Sequence, residues 1–212
     1  MTLFPLFLKL AGRTALVVGG GEIAESKIAS LLHTGATVRV VAPQANAKVA
    51  AWAQERAVKW TRRAFDPVDL EGVYLAIAAT SLADVNHLVF REARRRNILC
   101  NVVDDPPHCD FYFPAVVRRG DLQIAISTAG QSPALAQRLR LELESQFTPE
   151  YAQWVAEVGE KRRSVLAGQP PSAERKTLLH QIVQQGPALQ SAGFSSRSEE
   201  VILPQRAEVH HE

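Results

Sequence analysis

At 212 residues the chain has room for one α/β domain with a smaller appendage. Its 46% hydrophobic and 22% charged residues are those of an ordinary globular protein, and a formal charge of +2 is too small for a nucleic-acid binder. Residues 151–212 carry seven basic and seven acidic side chains, so the excess lies in the first 150, where an anionic small molecule is a fair expectation. The opening stretch MTLFPLFLKLAGRTALVVGGG is apolar but interrupted by Pro5, Lys9 and Arg13. No signal peptide is read there, and no run reaches the roughly 20 apolar residues of a membrane span. Cys100 and Cys109 form neither a disulfide framework nor a zinc signature and fit a reducing cytoplasm.

Strands and helices alternate through the first hundred residues. Thr14–Val18 is a short apolar strand stopped by glycines, Ile23–Thr34 has helical spacing closed by Gly35, and Thr37–Ala42 is a second strand. A helix near Ala45–Gln54, a weaker strand Val58–Thr61, and Val73–Ala79, apolar on both faces, follow. Asp84–Arg96 reads as a helix and Ile98–Val103 as another buried strand. Alternation of this kind implies βαβ units and a parallel sheet, a Rossmann-like α/β fold. The prolines of DDPPHCD, residues 104–110, exclude regular structure. Phe113–Val117 and Leu122–Ser127 then flank a turn at Gly120 like a hairpin, and helices are expected over Pro133–Phe147, Pro149–Leu166 and Ala173–Gln185 before a polar, frayed end. The resulting division is a nucleotide-binding domain over 1–112, a small segment over 113–147 and a helical domain over 148–212.

Gly19-Gly20-Gly21-Glu22-Ile23-Ala24 fits G-x-G-x-x-G/A, and a strand before it and a helix after it raise its specificity. Gly19 permits the tight turn, Gly21 lets a pyrophosphate approach the backbone, and Ala24 lets the helix lie close to the strand. The second strand ends Val41-Ala42-Pro43-Gln44 and lacks the acid that ordinarily holds a ribose. Gln44 and the backbone around Pro43 can take that role, and with no arginine at the strand tip NAD is favoured over NADP.

The loop GGGEIAESK, the strand YLAIAAT, the run NVVDDP followed by FYFPAVVRRGDLQIAIST, and the helix opening AGQSPALAQRLR occur together and in order. In these motifs the first 165 or so residues resemble the precorrin-2 dehydrogenase and sirohydrochlorin ferrochelatase family, the dehydrogenase part of siroheme synthases. The resemblance implies an NAD-binding Rossmann domain, a dimerisation segment over 113–147, a C-terminal helical domain and a homodimer. It implies NAD contacts from Gly21, Glu22, Ile23, Pro43 and Gln44. It also implies that activity depends on the aspartate closing NVVD, which is Asp104. The implied reaction is NAD-dependent oxidation of precorrin-2 to sirohydrochlorin, with Fe²⁺ or Co²⁺ insertion as an additional activity. No methyltransferase domain is read in these 212 residues, so precorrin-2 is expected to come from another enzyme. A serine that some relatives carry for phosphorylation is Thr128 here.

From the residues alone, Asp104 stands at the carboxyl end of a parallel strand, where such sheets bind ligands. It can serve as general base or stabilise positive charge as hydride leaves, or it can merely cap the loop. Asp105 reads as structural. Thr80 and Asn101, near the nicotinamide end, are pocket-lining candidates. Carboxylate-rich precorrin-2 needs cations, for which Arg118, Arg119 and Arg138 are candidates, while Arg138 and Arg140 lie on different faces of one helix. Thr128, Gly130, Gln131 and Ser132 offer an anion site at a helix start, or a plain cap. A metal site from Cys100, His108, Cys109 and Asp110 finds no support in their spacing, and no protein-held metal is expected. A sensor domain that binds NAD without chemistry is the competing reading, and it has no need of the DDPPHCD carboxylates.

Overall fold

The computed structural model describes residues 3–184, 186 and 187, so the expected polar end lies outside the described residues. The chain divides into two compact units, one running to Pro114 and including Ser127–Pro133, the other formed by Ala115–Ile126 and the residues from Ala134.

In the first unit, strands β1 (Thr14–Val18), β2 (Thr37–Val41), β3 (Val58–Thr61), β4 (Leu75–Ala78) and β5 (Leu99–Val102) form one parallel sheet in the order β3-β2-β1-β4-β5. Helices α1 (Glu22–Leu32), α2 (Ala47–Gln54) and α3 (Ala83–Arg95) connect them. The Rossmann-like sheet expected from the alternation is present, with element ends displaced by a residue or two. The second helix starts later than expected because Asn46 caps it, its side chain accepting the Val49 N–H at 3.0 Å.

Residues on β1 and β4 are apolar on both faces because helices cover both. Leu16, Val18, Ala76 and Ala78 pack against Val89, Phe90 and Ala93 of α3 on one side. Ala15, Val17 and Ile77 pack against Ala24, Ile28 and Leu31 of α1 on the other. Ile28 and Ile77 are fully buried, and each such side chain contributes about 1.5–3 kcal/mol by leaving water. The 104–110 segment, expected to be irregular, holds one short 3₁₀ turn at Pro106–His108, which its two prolines favour.

In the second unit, β6 (Ala115–Arg119) and β7 (Leu122–Ile126) form an antiparallel hairpin with Arg119 opposite Leu122. Gly120 takes φ 57° in the two-residue turn, a conformation glycine adopts without a Cβ penalty. Helices α4 (Pro133–Gln146), α5 (Glu150–Gly168) and α6 (Ala173–Ile182) follow, and α5 lies close enough to the turn that a Cβ on Gly120 would sit 3.2 Å from that of Ala152. The last helix was expected to reach Gln185, which lies outside the described residues.

Candidate active site

The chain runs outward from β1 through β2 to β3 and then crosses back to β4 on the other side of β1, and ligands of such sheets bind beyond the carboxyl ends at this switch point. Three turns meet there. A Cβ on Gly19, at φ +126°, would lie 2.3 Å from the Ala79 carbonyl oxygen, and one on Gly20 would lie 2.4 Å from that of Gln44. These two glycines let the turns after β4 and β2 close in. Gly21 is different, since nothing lies within 4 Å of its Cβ position. It caps α1 without a side-chain hydrogen bond, so the first N–H groups of the helix keep their capacity for an anion. Open space at Gly21 with a bare helix start fits a nucleotide pyrophosphate.

The turn after β2 is pinned to this loop. Asn46 N–H donates to the Gly20 carbonyl at 2.8 Å, and its side-chain amide donates to Glu25 at 2.6 Å. The Trp60 indole N–H holds the Ala42 carbonyl at 3.0 Å. Pro43 and Gln44 are left exposed beside the loop, as are Glu22 and Ile23 on the first turn of α1. Glu25 and Asn46 escaped the sequence reading, although an asparagine just before a helix is an N-cap signal.

At the end of β4, the Thr80 hydroxyl donates to Asn86 at 2.7 Å and accepts from the Leu82 N–H at 3.1 Å. Its first duty is to shape this turn. Asn101 was expected at the pocket edge, but it is buried within β5, where its amide donates to the Phe111 carbonyl at 2.8 Å. That bond ties down the chain after Asp104. Asp110 completes the clamp, accepting the Cys100 N–H at 2.9 Å.

Asp104 follows β5 after one residue, Val103. It is exposed and has φ 59°, a left-handed conformation that Asp tolerates better than most residues. Lys27 on α1 is the neighbour that sequence did not reveal. Burial lowers its ammonium pKa, and the nearby Asp104 charge opposes that shift. The ammonium also lies 4.2 Å from the centre of the Phe113 ring. One edge of the sheet therefore carries an open glycine loop, a free carboxylate and a partly desolvated cation.

The expected anion-binding arginines differ among themselves. Arg119 donates from Nε to the Phe147 carbonyl at 2.6 Å and from a terminal nitrogen to Glu144 O at 2.8 Å. Only 14% of its side chain is exposed, so it ties β6 to the end of α4 and has little left for a ligand. Arg118 is exposed. Arg138 pairs with Glu142 at 2.8 Å but keeps 69% of its side chain in solvent. Arg140 pairs with Glu144. In the first unit, the Thr128 hydroxyl accepts the Ser132 N–H at 3.0 Å, which organises the turn ahead of Pro133.

The four residues weighed as a metal site are engaged in other contacts. Cys100 is buried, and burial, followed by Asp110 and Cys109, pushes its thiol up to about 12. The Cys109 thiol donates to the Val102 carbonyl at 3.0 Å. Asp110 is occupied by Cys100, whereas His108 turns toward Asp105.

Residues 6–115 match a family model described as putative NAD(P)-binding, and residues 119–146 match one described as sirohaem biosynthesis protein central. The chain is 50% identical over 145 residues to siroheme synthase 1 of Cronobacter sakazakii, covering 68% of this chain and 31% of that protein. It is 36% identical to the siroheme synthase of Methylobacillus flagellatus, over 100% of this chain and 46% of that protein. The chain thus spans between about a third and a half of these curated relatives. Among solved structures it is similar to SirC, precorrin-2 dehydrogenase, with a TM-score of 0.74, 31% identity, and coverage of 85% of this chain and 89% of that one.

Proposed function

The chain belongs to the siroheme-biosynthesis family of NAD(P)-binding proteins that includes precorrin-2 dehydrogenase, and on that premise we propose that it oxidises precorrin-2 to sirohydrochlorin with NAD⁺. The observation that carries this reading is the exposed Asp104 carboxylate on the same sheet edge as the open glycine loop. When bound, NAD⁺ supplies the acceptor for the hydride removed from the macrocycle. Gly21 and the first turn of α1 hold its pyrophosphate, Ile23 offers apolar cover, and Pro43 and Gln44 meet the adenosine ribose. Thr80 and Asn101 act by fixing the turns around the nicotinamide end.

The proton that leaves with the hydride goes to Asp104, whose carboxylate is held by no hydrogen bond among the described residues of the kind that His87 and His108 give Asp105. Lys27 takes the part first expected of Arg119, as a cation for one carboxylate of the anionic substrate. Arg118, Arg138, Thr128 and Ser132 are further substrate contacts in this reading. The β6–β7 hairpin stands as a two-stranded sheet among the described residues. Bare edges of that kind are normally paired or covered, which supports a two-fold dimer joined there. No described helix is long and apolar enough to cross a membrane, and two free cysteines fit a cytoplasmic location.

The test is Asp104→Asn, which keeps the shape and the left-handed backbone but removes basicity. Conversion of precorrin-2 should fall by about 10²–10⁴, while NAD⁺ affinity measured by calorimetry is unchanged. Near-normal conversion would remove Asp104 from the chemistry.

A further inference from the structure

Beside Asp104, three side chains converge that the oxidation does not use. Asp105 Oδ2 accepts from His108 Nδ1 at 2.8 Å and from His87 Nε2 at 2.9 Å. The two imidazoles lie 4.5 Å apart between centroids, and Phe90 meets His108 edge-on at 5.0 Å. Both supports are tied by hydrogen bonds. His87 is on α3 next to Asn86, which is locked to Thr80, and His108 closes the turn that Asn101, Cys109 and Asp110 tie to β5.

We propose that His87, Asp105 and His108 form a binding site for one divalent first-row transition cation of the Fe²⁺ or Co²⁺ class. One atom from each residue is available, and the three lie within 4.8 Å of one another. Metal–nitrogen and metal–oxygen bonds of about 2.0–2.2 Å in a tetrahedral arrangement separate ligand atoms by about 3.3–3.6 Å. The present hydrogen-bonded spacings of 2.8 and 2.9 Å therefore need only a small outward rotation of each ring. Imidazole with carboxylate suits iron, cobalt and zinc, whereas all-oxygen sites suit magnesium and calcium. Three ligands, with side chains 47%, 26% and 36% exposed, leave coordination positions open to solvent. That is the character of a site that exchanges its ion rather than a closed structural one.

The role of the ion rests on the reading given under Proposed function, although its binding does not. Asp105 directly follows Asp104, so a cation held here waits beside the proposed tetrapyrrole site as substrate for insertion. In that transfer the metal leaves one carboxylate and two imidazole ligands and forms bonds to the ring nitrogens. Two pyrrole protons leave, and the two vacated imidazoles can take them up, which balances the charge.

The test uses the full, metal-free chain titrated with Co²⁺ alone, without NAD⁺ or tetrapyrrole, by calorimetry and visible absorption. One Co²⁺ should bind and develop ligand-field bands. His87→Ala and His108→Ala should each weaken binding by no less than the ~10–100-fold typical of losing even an outer partner of a metal site. In the unmodified chain, Zn²⁺ should shift the imidazole resonances of His87 and His108, which guards against variants that fail to fold. Absence of binding, full affinity in both variants, or shifts confined to the other four histidines would overturn the site. Oxidation of precorrin-2 is measured separately, with chelator present, and His87→Ala should leave it unchanged while slowing metal insertion. Co²⁺ binding without any oxidation would reject the dehydrogenase reading and leave the cation site standing.

Discussion

Lys27 holds its charge at some cost, half-buried with its ammonium 4.2 Å from the Phe113 ring centre and with Asp104 nearby to offset the desolvation. Lys27→Met keeps the aliphatic stem over the ring and removes the charge. In steady-state kinetics the KM for precorrin-2 should rise by about tenfold, the order expected for one charge-assisted contact, with NAD⁺ affinity unaffected. Arg119 should behave in the opposite way. Its bonds to the carbonyls of Glu144 and Phe147 make it a structural tie, so Arg119→Ala should lower stability by about 1–3 kcal/mol in denaturant unfolding without a selective change in KM. Cys100 makes a pH-dependent contribution. Its thiol pKa, raised to about 12 by burial, exceeds the unfolded value of about 8.5. The folded chain therefore retains that proton longer, so the associated stability is complete below the unfolded pKa and is lost as pH rises toward the folded one. Unfolding free energies measured from neutral pH into this alkaline range should decline, and Cys100→Ala should flatten the decline.

At the level of elements, the glycine triplet divides its work. Gly19 and Gly20 are required by the fold, because their Cβ positions fall 2.3 and 2.4 Å from backbone oxygens. Gly21 is required only by what binds. Gly20→Ala should therefore lower the melting temperature, whereas Gly21→Asp should melt like the parent and lose NAD⁺, which calorimetry and thermal scans can separate. The triplet and its strand–helix context were legible in sequence because local rules govern them: a turn, a helix start and a phosphate share the same few residues. The clamp on the Asp104 loop was less legible. Asn101 looked like a pocket residue because strand spacing alone does not say whether an amide faces the ligand or the returning chain. Arg119 read as a free cation for the same reason, since only the path of α4 brings the Phe147 carbonyl to it. Lys27 could not be found locally at all, because it and Asp104 are far apart in sequence and come near each other only when α1 packs against the sheet.

The whole molecule joins a nucleotide-binding sheet to a unit built on a two-stranded hairpin. The parallel sheet was readable throughout, because alternating apolar strands and amphipathic helices dictate it. The Asp105 triad was not, since it needs a histidine on α3 to reach a loop eighteen residues on. Among the described residues the β6–β7 pair has no third strand, and open strand edges are normally paired or covered, so a two-fold partner across β6–β7 should appear as a dimer mass in light scattering at micromolar concentration; a monomer would refute that assembly. The central claim concerns electrons and is tested by their stoichiometry. Anaerobic incubation of the full chain with precorrin-2 and NAD⁺, following sirohydrochlorin and NADH together, should yield one NADH for each sirohydrochlorin and no product when NAD⁺ is withheld. Sirohydrochlorin appearing without NADH, or no conversion by a chain shown to bind NAD⁺, would contradict it.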